Sequence, residues 1–419
     1  MYRNIQCKNV AKSGVGIQQK IICEALLDSG KYRIISLGCA IKHRSYDPVK
    51  TDKYGDDWIT IPIDGFGNIE LLRTIVRKEK VDAIQMFSDN RFFKWLFAKA
   101  DEIQPLCPII WNNIWDSDLS PFFNKVDYES MSKLVAISKV TYNNNVKVVP
   151  TVPCEYLPHA VNPKDFFKNE NEEEVLNFKK QMIPEEYFGR TIFFWNNRNA
   201  ERKLPGSLVE WFKTFLDRVG HDKAVLVLKT NPKDGNGPDL EEVLKFYELD
   251  KGQVFLIPNG NVPDGAMGMM YNAVDCTVNI AHSEGFGLSS LESLACGTPV
   301  INNMTGGLQE QVYNEEDDKW CGIGLVPVLR SMTGNQEVPY IYRDFVGKED
   351  FIAALTKIHN MTKEERDELG ANGIDHVEKH YNYESLKKNW VRIMDELIEK
   401  EGSWETRTPW ERRWALKEM

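Results

Sequence analysis

The sequence predicts an α/β protein with two doubly wound domains, each built on a parallel sheet that helices cover on both faces. Three observations lead to this fold class. Short apolar runs alternate with longer amphipathic stretches, a polar segment interrupts the alternation once, and the alternation then resumes. Regular alternation of strand and helix is typical of parallel sheets. The length of 419 residues also exceeds what one ordinary core accommodates.

In the first part of the chain, five apolar runs have the length and composition of buried strands: YRIISLGC, WITIPI, AIQMF, PIIWNN and KLVAIS. Two stretches between these runs have helical spacing, GIQQKIICEALLDSG and NIELLRTIVRKEK, and Gly30 closes the first of them. We therefore expect residues 1–160 to form an N-terminal Rossmann-like domain.

A polar segment from Lys164 to Glu186, which includes the acidic run KNENEEEV, interrupts this pattern. Its composition suits a linker or an exposed helix better than a core. A second series of strands follows, TIFFWNN, AVLVLKT, VFLIPN, DCTVNIA, PVIN and GIGLVPV, with helices such as PGSLVEWFKTFLDRVG and GLSSLESLACG among them. Residues 161–390 are therefore expected to form a second Rossmann-like domain, which faces the first across a ligand-binding cleft.

Composition and charge argue against several classes of protein. The formal net charge of −10 argues against a general affinity for nucleic acid, which normally requires a basic surface. No run reaches the roughly 18 apolar residues of a membrane span, and the start MYRNIQCKNVAKSG has no apolar signal-peptide core. Eight cysteines occur without a C-x-x-C pair. We therefore expect a cytoplasmic protein with reduced thiols and no metal site.

The most informative stretch is HSEGFGLSSLESLACGTPVINNMTGG, residues 282–307. Glu284 lies in a loop at the carboxyl end of a predicted strand, and Glu292 lies on the second turn of the following helix. Gly285 and Gly287 permit a tight turn and close backbone approach, and the amides at the helix start favour an anion. Carboxylates accept paired hydrogen bonds from vicinal hydroxyls. This layout suits a central phosphate with hydroxylated rings at both ends, as in a nucleotide sugar.

The run EGFGLSSLE resembles the E-x7-E signature of retaining glycosyltransferases with the GT-B fold, in particular glycosyltransferase family 4. The match continues through SLACGTPVI into TGGLQEQV, which is similar to the family's Gly-Gly-x-x-Glu-x-Val segment. The resemblance implies that Glu284 holds hydroxyls of the donor sugar and that Glu292 holds the nucleotide ribose. It also implies that the sugar and phosphate are lined by backbone of the turn, namely Gly285, Phe286, Gly287 and Leu288.

A second motif, WNNRNAERKLPGSLVEWF, follows the predicted strand TIFFW. Arg198 and Lys203 have the family's R-x4-K spacing, and the resemblance implies that they neutralise the donor diphosphate. Arg202 is a competing candidate. Asn197 departs from the family pattern, because glycine commonly precedes the arginine. A fixed arginine and lysine stabilise the charge that develops on a leaving diphosphate, so we expect Arg198, Lys203 and Glu284 to be the catalytic residues.

The stretch KSGVGIQQK, ahead of the first helix, resembles the family's N-terminal glycine-rich loop. Gly14 and Gly16 occupy the matching positions. The resemblance implies that this loop closes over both substrates, with Gly16 on the donor side and Gly14 on the acceptor side. A G-x-G pattern is also common in simple turns, so an ordinary turn is an equal alternative.

The stretch WNNIWDSDLSPFF follows a strand of the first domain. We expect Asn113, Trp115 and Asp116 to line the cleft near the acceptor. An alternative is that Asp116 caps a short helix. Asp116 and Asp118 form a D-x-D pattern, which chelates a metal in a different glycosyltransferase fold. Here the pattern lies in the wrong domain for the donor, so we expect no metal.

The stretch YESLKKNWVRIMDELIEK has helical spacing, and Gly402 ends the predicted helix. Trp404, Trp410 and Trp414 follow among charged residues. Exposed tryptophans promote association. GT-B folds usually return their final helix to the first domain, so the resemblance implies that residues 391–419 return to the N-terminal domain and dock there; a self-association surface is the alternative.

These features together predict a metal-independent, retaining glycosyltransferase that moves a hexosyl or pentosyl group from a nucleoside-diphosphate sugar to an acceptor hydroxyl. No cofactor is expected beyond this donor substrate. The resemblance implies front-face attack, with the leaving diphosphate taking the acceptor proton. The acceptor stays open among a glycan, a lipid-linked molecule, a small molecule and a protein.

Three alternatives remain. Hydroxymethylated viral DNA is an alternative acceptor, although the acidic charge does not favour it. A non-catalytic nucleotide-sugar sensor is the second, and the intact arginine, lysine and both glutamates argue against it. Sugar-nucleotide epimerases share the fold, but the sequence lacks their Gly-Thr-Arg-Pro-Glu turn. The sequence predicts no oligomeric state.

Overall fold

The structure is a computed structural model, and it describes residues 13–39, 43–259 and 265–410 together with the backbone of residues 2–6. The chain divides into two compact units. Unit 1 contains Met1–His159, Gly334–Ile341 and the chain from Glu384 onward. Unit 2 contains Ala160–Thr333 and Tyr342–Tyr383.

Unit 1 is built on an eight-stranded sheet. Its strands are β1 (Tyr2–Gln6), β2 (Tyr32–Gly38), β3 (Val49–Thr51), β4 (Gly55–Pro62), β5 (Ala83–Phe87), β6 (Ile109–Asn113), β7 (Lys133–Ala136) and β8 (Cys154–Tyr156). Their order is β3-β4-β2-β1-β5-β6-β7-β8. Every pairing is parallel except that of β3 with β4.

Helices cover both faces of this sheet. They are α1 (Gly14–Asp28), α2 (Ile69–Glu79), α3 (Lys94–Phe97), α4 (Ala100–Ile103), α5 (Lys125–Glu129) and α6 (Lys139–Val148). Alternate residues of β5 point to opposite faces. Ile84 and Met86 join the core beneath α2, whereas Gln85 accepts a hydrogen bond from Gln19 of α1 at 2.8 Å. The sheet is therefore doubly wound.

Unit 2 is built on a six-stranded parallel sheet and two small two-stranded sheets. Its strands are β9 (Thr191–Asn196), β10 (Ala224–Lys229), β11 (Val254–Ile257), β12 (Cys276–Asn279), β13 (Val300–Asn303), β14 (Tyr313–Asn314), β15 (Lys319–Trp320), β16 (Gly322–Leu325), β17 (Leu329–Thr333) and β18 (Ile341–Phe345). The main sheet has the order β11-β10-β9-β12-β13-β16, whereas β14 pairs with β15 and β17 with β18.

The helices of unit 2 also lie on both faces of its sheet. They are α7 (Glu172–Met182), α8 (Pro205–Val219), α9 (Leu240–Phe246), α10 (Ala266–Asn272), α11 (Leu288–Ala295), α12 (Leu308–Val312), α13 (Lys348–Asn360) and α14 (Lys363–His380). Phe193 and Trp195 of β9 join one core cluster, and the intervening Ile192 and Phe194 join another. Two buried faces explain why these strands are apolar throughout.

The last helix, α15 (Tyr383–Glu401), belongs to unit 1 from Glu384 onward, together with the described residues 402–410. The Tyr32 hydroxyl donates to Asp395 of α15 at 2.5 Å, and the Trp404 backbone N–H donates to Asp82 at 2.8 Å. Trp404 packs against the unit 1 core. Trp410 is partly buried, and Trp414 lies outside the described residues.

The predicted class of two doubly wound α/β domains is confirmed. The polar segment Lys164–Glu186 contains the helix α7, none of whose residues is buried. Sequence patterns did not predict β1, the edge strands β3 and β8, or the small pairs β14 with β15 and β17 with β18. Among these, β3 has a largely exposed pattern and β17 alternates between exposed and half-buried residues, so their apolar signal is weak.

Candidate active site

The order of the strands indicates a ligand site at the carboxyl ends of the central strands of the unit 2 sheet. Counted along the chain within this sheet, the strands follow the order 3-2-1-4-5-6. The order reverses between β9 and β12, which pair in parallel. Open α/β sheets bind ligands at the carboxyl ends of strands at such a reversal. The loops that leave β9 and β12 carry the residues that the sequence predicted for the donor.

The loop after β9 brings a lysine into this edge. Residues Glu201–Lys203 form one 3-10 turn, and Leu204 ends it in the left-handed conformation, with φ of 53°. Pro205 then begins α8, where a missing backbone N–H costs no hydrogen bond. Lys203 is only 6% exposed. A buried ammonium requires a nearby negative group.

The loop after β12 supplies a negative group for Lys203. This loop consists of residues 284–287 and is called the EGFG loop below. Glu284 is 8% exposed. Gly287 has φ of 95°, and a Cβ there would lie 2.4 Å from a side-chain atom of α12, so this position requires glycine. The backbone N–H of Gly307 donates to the Glu284 carbonyl at 3.0 Å, and Gln311 donates to the Phe286 carbonyl at 2.8 Å. These bonds fix the loop.

Two cations meet the carboxylate of Glu284. The ammonium of Lys203 contacts Glu284 Oε2 directly. A guanidinium nitrogen of Arg202 lies 3.3 Å from the same oxygen and donates to the Ser283 carbonyl at 2.9 Å. The structure thus brings together Lys203 and Glu284, which the sequence assigned to different parts of the donor, and Arg202 joins them.

Arg198 has a different partner. Its guanidinium makes a bidentate pair with Asp234, at 2.7 and 3.0 Å, and its side chain is 65% exposed. The hydrogen bonds to Asp234 raise the pKa of Arg198, and the guanidinium lowers the pKa of Asp234. Of the two arginines that the sequence left in competition, Arg202 is therefore the one held at Glu284.

The second carboxylate, Glu292, is partly buried on α11. The Tyr271 hydroxyl donates to Glu292 at 2.7 Å, and Asn196 donates to the Tyr271 oxygen at 2.8 Å. Burial raises the pKa of Glu292 to about 7, while the Tyr271 hydrogen bond and the charge of Lys229 act in the opposite direction. Sequence reasoning missed these three neighbours. Asn196 and Lys229 end adjacent strands, which is the signal that could have indicated them.

The start of α11 lies between the two carboxylates in the sequence and has features that favour an anion. The helix begins at Leu288, directly after Gly287, and no side chain caps it. The first backbone N–H groups of a helix lack intrahelical partners and carry partial positive charge. Gly285, Phe286, Gly287 and Leu288 lie at this helix start, and their contact with the donor stays a prediction.

In unit 1, α1 begins at Gly14, two residues before the predicted helix start at Gly16, so both glycines of the predicted glycine-rich loop lie on the helix. Both lie in the first turn of α1, where the Ser13 hydroxyl accepts a hydrogen bond from the Gly16 N–H at 3.2 Å. Neither has a positive φ. The cap at Ser13 starts the helix at the first glycine, which is the physical reason for the difference.

The acceptor-side residues have partners within unit 1. Asn113 is fully buried and exchanges two hydrogen bonds with Asn145, each 2.8 Å long. The Trp115 indole donates to the Leu119 carbonyl at 2.8 Å. Packing of unit 1 thus accounts for Asn113 and Trp115 without a ligand.

The two aspartates of the D-x-D pattern lie in the loop after β6, where Asp116 is partly buried and Asp118 is exposed. The next short turn, Phe122–Asn124, starts after Pro121 without a side-chain cap, so the capping interpretation of Asp116 is wrong. In the described part of the chain, no three His, Cys, Asp or Glu side chains are placed to bind a metal ion together. None of the helices in that part is long and apolar enough to cross a bilayer.

Comparisons with known proteins agree with this fold. The structure is similar to sucrose-phosphate synthase from Thermosynechococcus elongatus, with a TM-score of 0.73, 16% identity, and coverage of 96% of this chain and 100% of that chain. It is also similar to Anabaena Alr3699/HepE in complex with UDP and glucose, with a TM-score of 0.66, 10% identity, and coverage of 94% and 100%. The fold is therefore that of the GT-B glycosyltransferases.

The sequence comparisons concern mainly unit 2. Residues 181–325 match the family "Glycosyl transferases group 1". A relative, the alpha-monoglucosyldiacylglycerol synthase of Acholeplasma laidlawii, is 25% identical over 166 residues. The aligned part covers 39% of this chain and 39% of the relative. The predicted resemblance to GT-B glycosyltransferases of the family 4 type is confirmed, and unit 2 carries its group 1 segment.

Proposed function

We propose that this protein transfers a sugar from a nucleoside-diphosphate sugar to an acceptor hydroxyl, with retention of the anomeric configuration and without a metal ion. The observation that carries the proposal is the meeting of Lys203 and Arg202 at Glu284, beside the start of α11. Glu292 lies on the same helix. Cations, helix amides and two separate carboxylates together match the parts of a nucleotide sugar.

The cations would act on the leaving group. Negative charge accumulates on the diphosphate as its bond to the sugar breaks, and cations that are already fixed in place stabilise that charge strongly. In the free protein, Lys203 and Arg202 neutralise Glu284. Because Glu284 holds both cations, they are already in place before the donor binds. An arriving diphosphate would then share them with Glu284.

The two carboxylates would hold the two ends of the donor. Glu284, on the EGFG loop, would accept hydrogen bonds from the donor sugar. Glu292 would accept them from the ribose. The family resemblance supports this division. The structurally similar Alr3699/HepE has been solved with UDP and glucose, which supports a nucleotide-sugar donor in general.

For the chemical step we propose front-face attack. The acceptor hydroxyl attacks the anomeric carbon on the face that the diphosphate leaves, and a diphosphate oxygen takes the acceptor proton. Lys203 and Arg202 would then supply most of the electrostatic stabilisation, and no protein nucleophile is required. The acceptor is a hydroxyl-bearing molecule of a class still to be determined. The free, mostly buried thiols among the described residues support a reducing, cytoplasmic location.

A donor screen tests the proposal. The protein is incubated with UDP-, GDP- and ADP-sugars, and free nucleoside diphosphate is followed by phosphorus NMR. Slow release from one donor, accelerated by a hydroxylated acceptor, is the expected result. Binding of a donor without any release would favour the sensor. Neither binding nor release from any donor would contradict the proposal.

A further inference from the structure

The side chain of Lys229 carries a buried positive charge at the carboxyl end of β10. Lys229 is 6% exposed, and its ammonium donates to the Asn259 side-chain oxygen at 2.6 Å. Asn259 is neutral, so this hydrogen bond does not balance the charge. A buried ammonium is strongly disfavoured unless a negative group lies nearby.

Glu292 is the carboxylate whose charge acts on this ammonium, and a chain of neighbouring side chains connects the two residues. Lys229 stands opposite Asn196 in the parallel pairing of β10 with β9. Asn196 donates to the Tyr271 hydroxyl, and that hydroxyl donates to Glu292. Burial lowers the pKa of Lys229, and the negative charge of Glu292 opposes this change. Burial raises the pKa of Glu292, and the charge of Lys229 opposes that change in turn.

Three titratable groups of the described residues act on Glu292 or respond to its charge. Lys229 comes from β10, Tyr271 from α10 and Cys296 from the residue that follows α11. Burial raises the pKa values of both Tyr271 and Cys296, so these two groups stay neutral near pH 7. Lys229 is therefore the cation that acts on Glu292 within this set.

We propose that Lys229 is a positioning residue that keeps Glu292 as a carboxylate directed at the two ribose hydroxyls of the donor nucleotide. A carboxylate accepts hydrogen bonds on both oxygens, whereas a protonated Glu292 would turn one oxygen into a donor. Lys229 acts through Glu292 and the strand edge, and it does not need to contact the nucleotide. This inference rests on the proposed function, because the ribose belongs to that donor.

The test is the pH dependence of UDP binding to Lys229→Met, measured by calorimetry between pH 5.5 and 9. Loss of one nearby positive charge should raise the pH at which UDP binding is half-maximal by about one pH unit. At pH 7 this shift corresponds to roughly fivefold weaker binding, which recovers at pH 9. Lys229→Arg retains the charge and should restore the wild-type midpoint.

Lys179→Met is the matched control, because Lys179 of α7 is another lysine of unit 2 whose pKa is lowered by burial. It should leave the profile unchanged. A loss of affinity in Lys229→Met that is the same at every pH would indicate a packing role and would overturn the inference.

A second readout separates this inference from the proposed function. Titration of carbon-13-labelled Glu292 by NMR in the free protein requires no nucleotide. If the wild-type protein binds no nucleoside diphosphate, the proposed function fails. The role of Lys229 as a positioning residue for ribose recognition then fails as well. If UDP binds but the Glu292 midpoint is the same in Lys229→Met and wild type, only the inference about Lys229 fails.

Discussion

The ammonium of Lys203 contacts the carboxylate of Glu284 at the point where the loops after β9 and β12 leave the sheet. Both residues are less than a tenth exposed. Breaking a buried pair by removal of one partner leaves an uncompensated charge, so the pair is sensitive to substitution. It also places a cation at the edge where the diphosphate is proposed to bind.

Lys203→Met should weaken transition-state stabilisation by about 1.5–3 kcal/mol, the usual contribution of a charge-assisted contact. This corresponds to roughly tenfold to 150-fold in kcat/KM for the donor. Steady-state kinetics checks the value, and thermal melting establishes that the variant is folded. Near-wild-type kcat/KM in a folded Lys203→Met would contradict the role of this lysine.

The two arginines should differ in effect. Arg202→Ala removes a guanidinium that Glu284 holds near Lys203, whereas Arg198 is engaged by Asp234. We expect Arg202→Ala to reduce kcat/KM more than Arg198→Ala does. The same assay compares the two variants. Asp234→Asn serves as the control, because it frees Arg198 from its ion pair with Asp234 and leaves the guanidinium in the protein. The opposite order would show that Arg198 leaves Asp234 for the diphosphate, as the R-x4-K spacing predicts.

The two glutamates should separate nucleotide binding from turnover. Glu292→Ala should weaken binding of UDP, because it removes the acceptor proposed for the ribose. Glu284→Gln should leave UDP binding nearly intact and yet lose activity, because UDP lacks the sugar. Calorimetry with UDP and kinetics with the donor provide the two measurements. Wild-type UDP affinity in both variants would show that the ribose assignment is wrong.

UDP affinity should fall as the pH drops below about 7, the pKa to which burial raises Glu292. The protonated form dominates on the acid side of that pKa, and it accepts fewer hydrogen bonds from ribose. Glu292→Gln is the control, because its profile retains only the titration of UDP and of other groups. Identical profiles for Glu292→Gln and wild type would exclude Glu292 as the titrating group.

Activity should survive EDTA, because the proposed site uses Lys203 and Arg202 where other folds use a divalent ion. Donor turnover is measured before and after dialysis against the chelator. Complete loss of turnover, with recovery on addition of magnesium or manganese, would indicate a metal-dependent reaction. Asp116 and Asp118 would then be the candidate metal ligands.

Deletion of the chain from Gly402 onward should destabilise unit 1. It removes Trp404 from the core of that unit and the two hydrogen bonds, 2.8 and 2.9 Å long, that Arg407 donates to the Gln104 carbonyl. We expect a melting temperature several degrees lower and unchanged UDP binding by unit 2.

Glu405→Gln is the control for this deletion, because it removes only an exposed ion pair with Lys80, and such pairs contribute little. Unchanged melting of the truncated protein would contradict docking of the tail. Conversion of an oligomer into an active monomer would instead support the self-association alternative.

The sequence predicted the central strands because two-sided burial makes them continuously apolar, as in β9 and β10. It did not predict β3 or β17, since a strand with exposed residues depends on pairing with a distant partner for its formation. It started α1 at Gly16 and left Gly14 in the preceding loop, because nothing in the glycine spacing indicates that the cap at Ser13 starts the helix at Gly14.

In the candidate site, too, the sequence predicted the local features and missed those that depend on distant residues. Glu284 and Glu292 were predicted because one short stretch fixes their spacing. Lys229 and Tyr271 were missed, since they reach Glu292 from separate elements that meet only in the folded unit. Spacing alone also could not decide between two neighbouring arginines, whereas the hydrogen bonds of the structure distinguish them.

The central claim is that the carboxyl edge of the unit 2 sheet binds a nucleoside-diphosphate sugar through Lys203, Glu284 and Glu292. Calorimetric titration of wild type and Lys203→Met with UDP-, GDP- and ADP-sugars tests it most directly. The account predicts one-to-one binding of a donor by the wild-type protein and about tenfold or greater weakening in Lys203→Met. Absence of binding of any donor by the folded wild-type protein, or equal affinity in the two proteins, would contradict it.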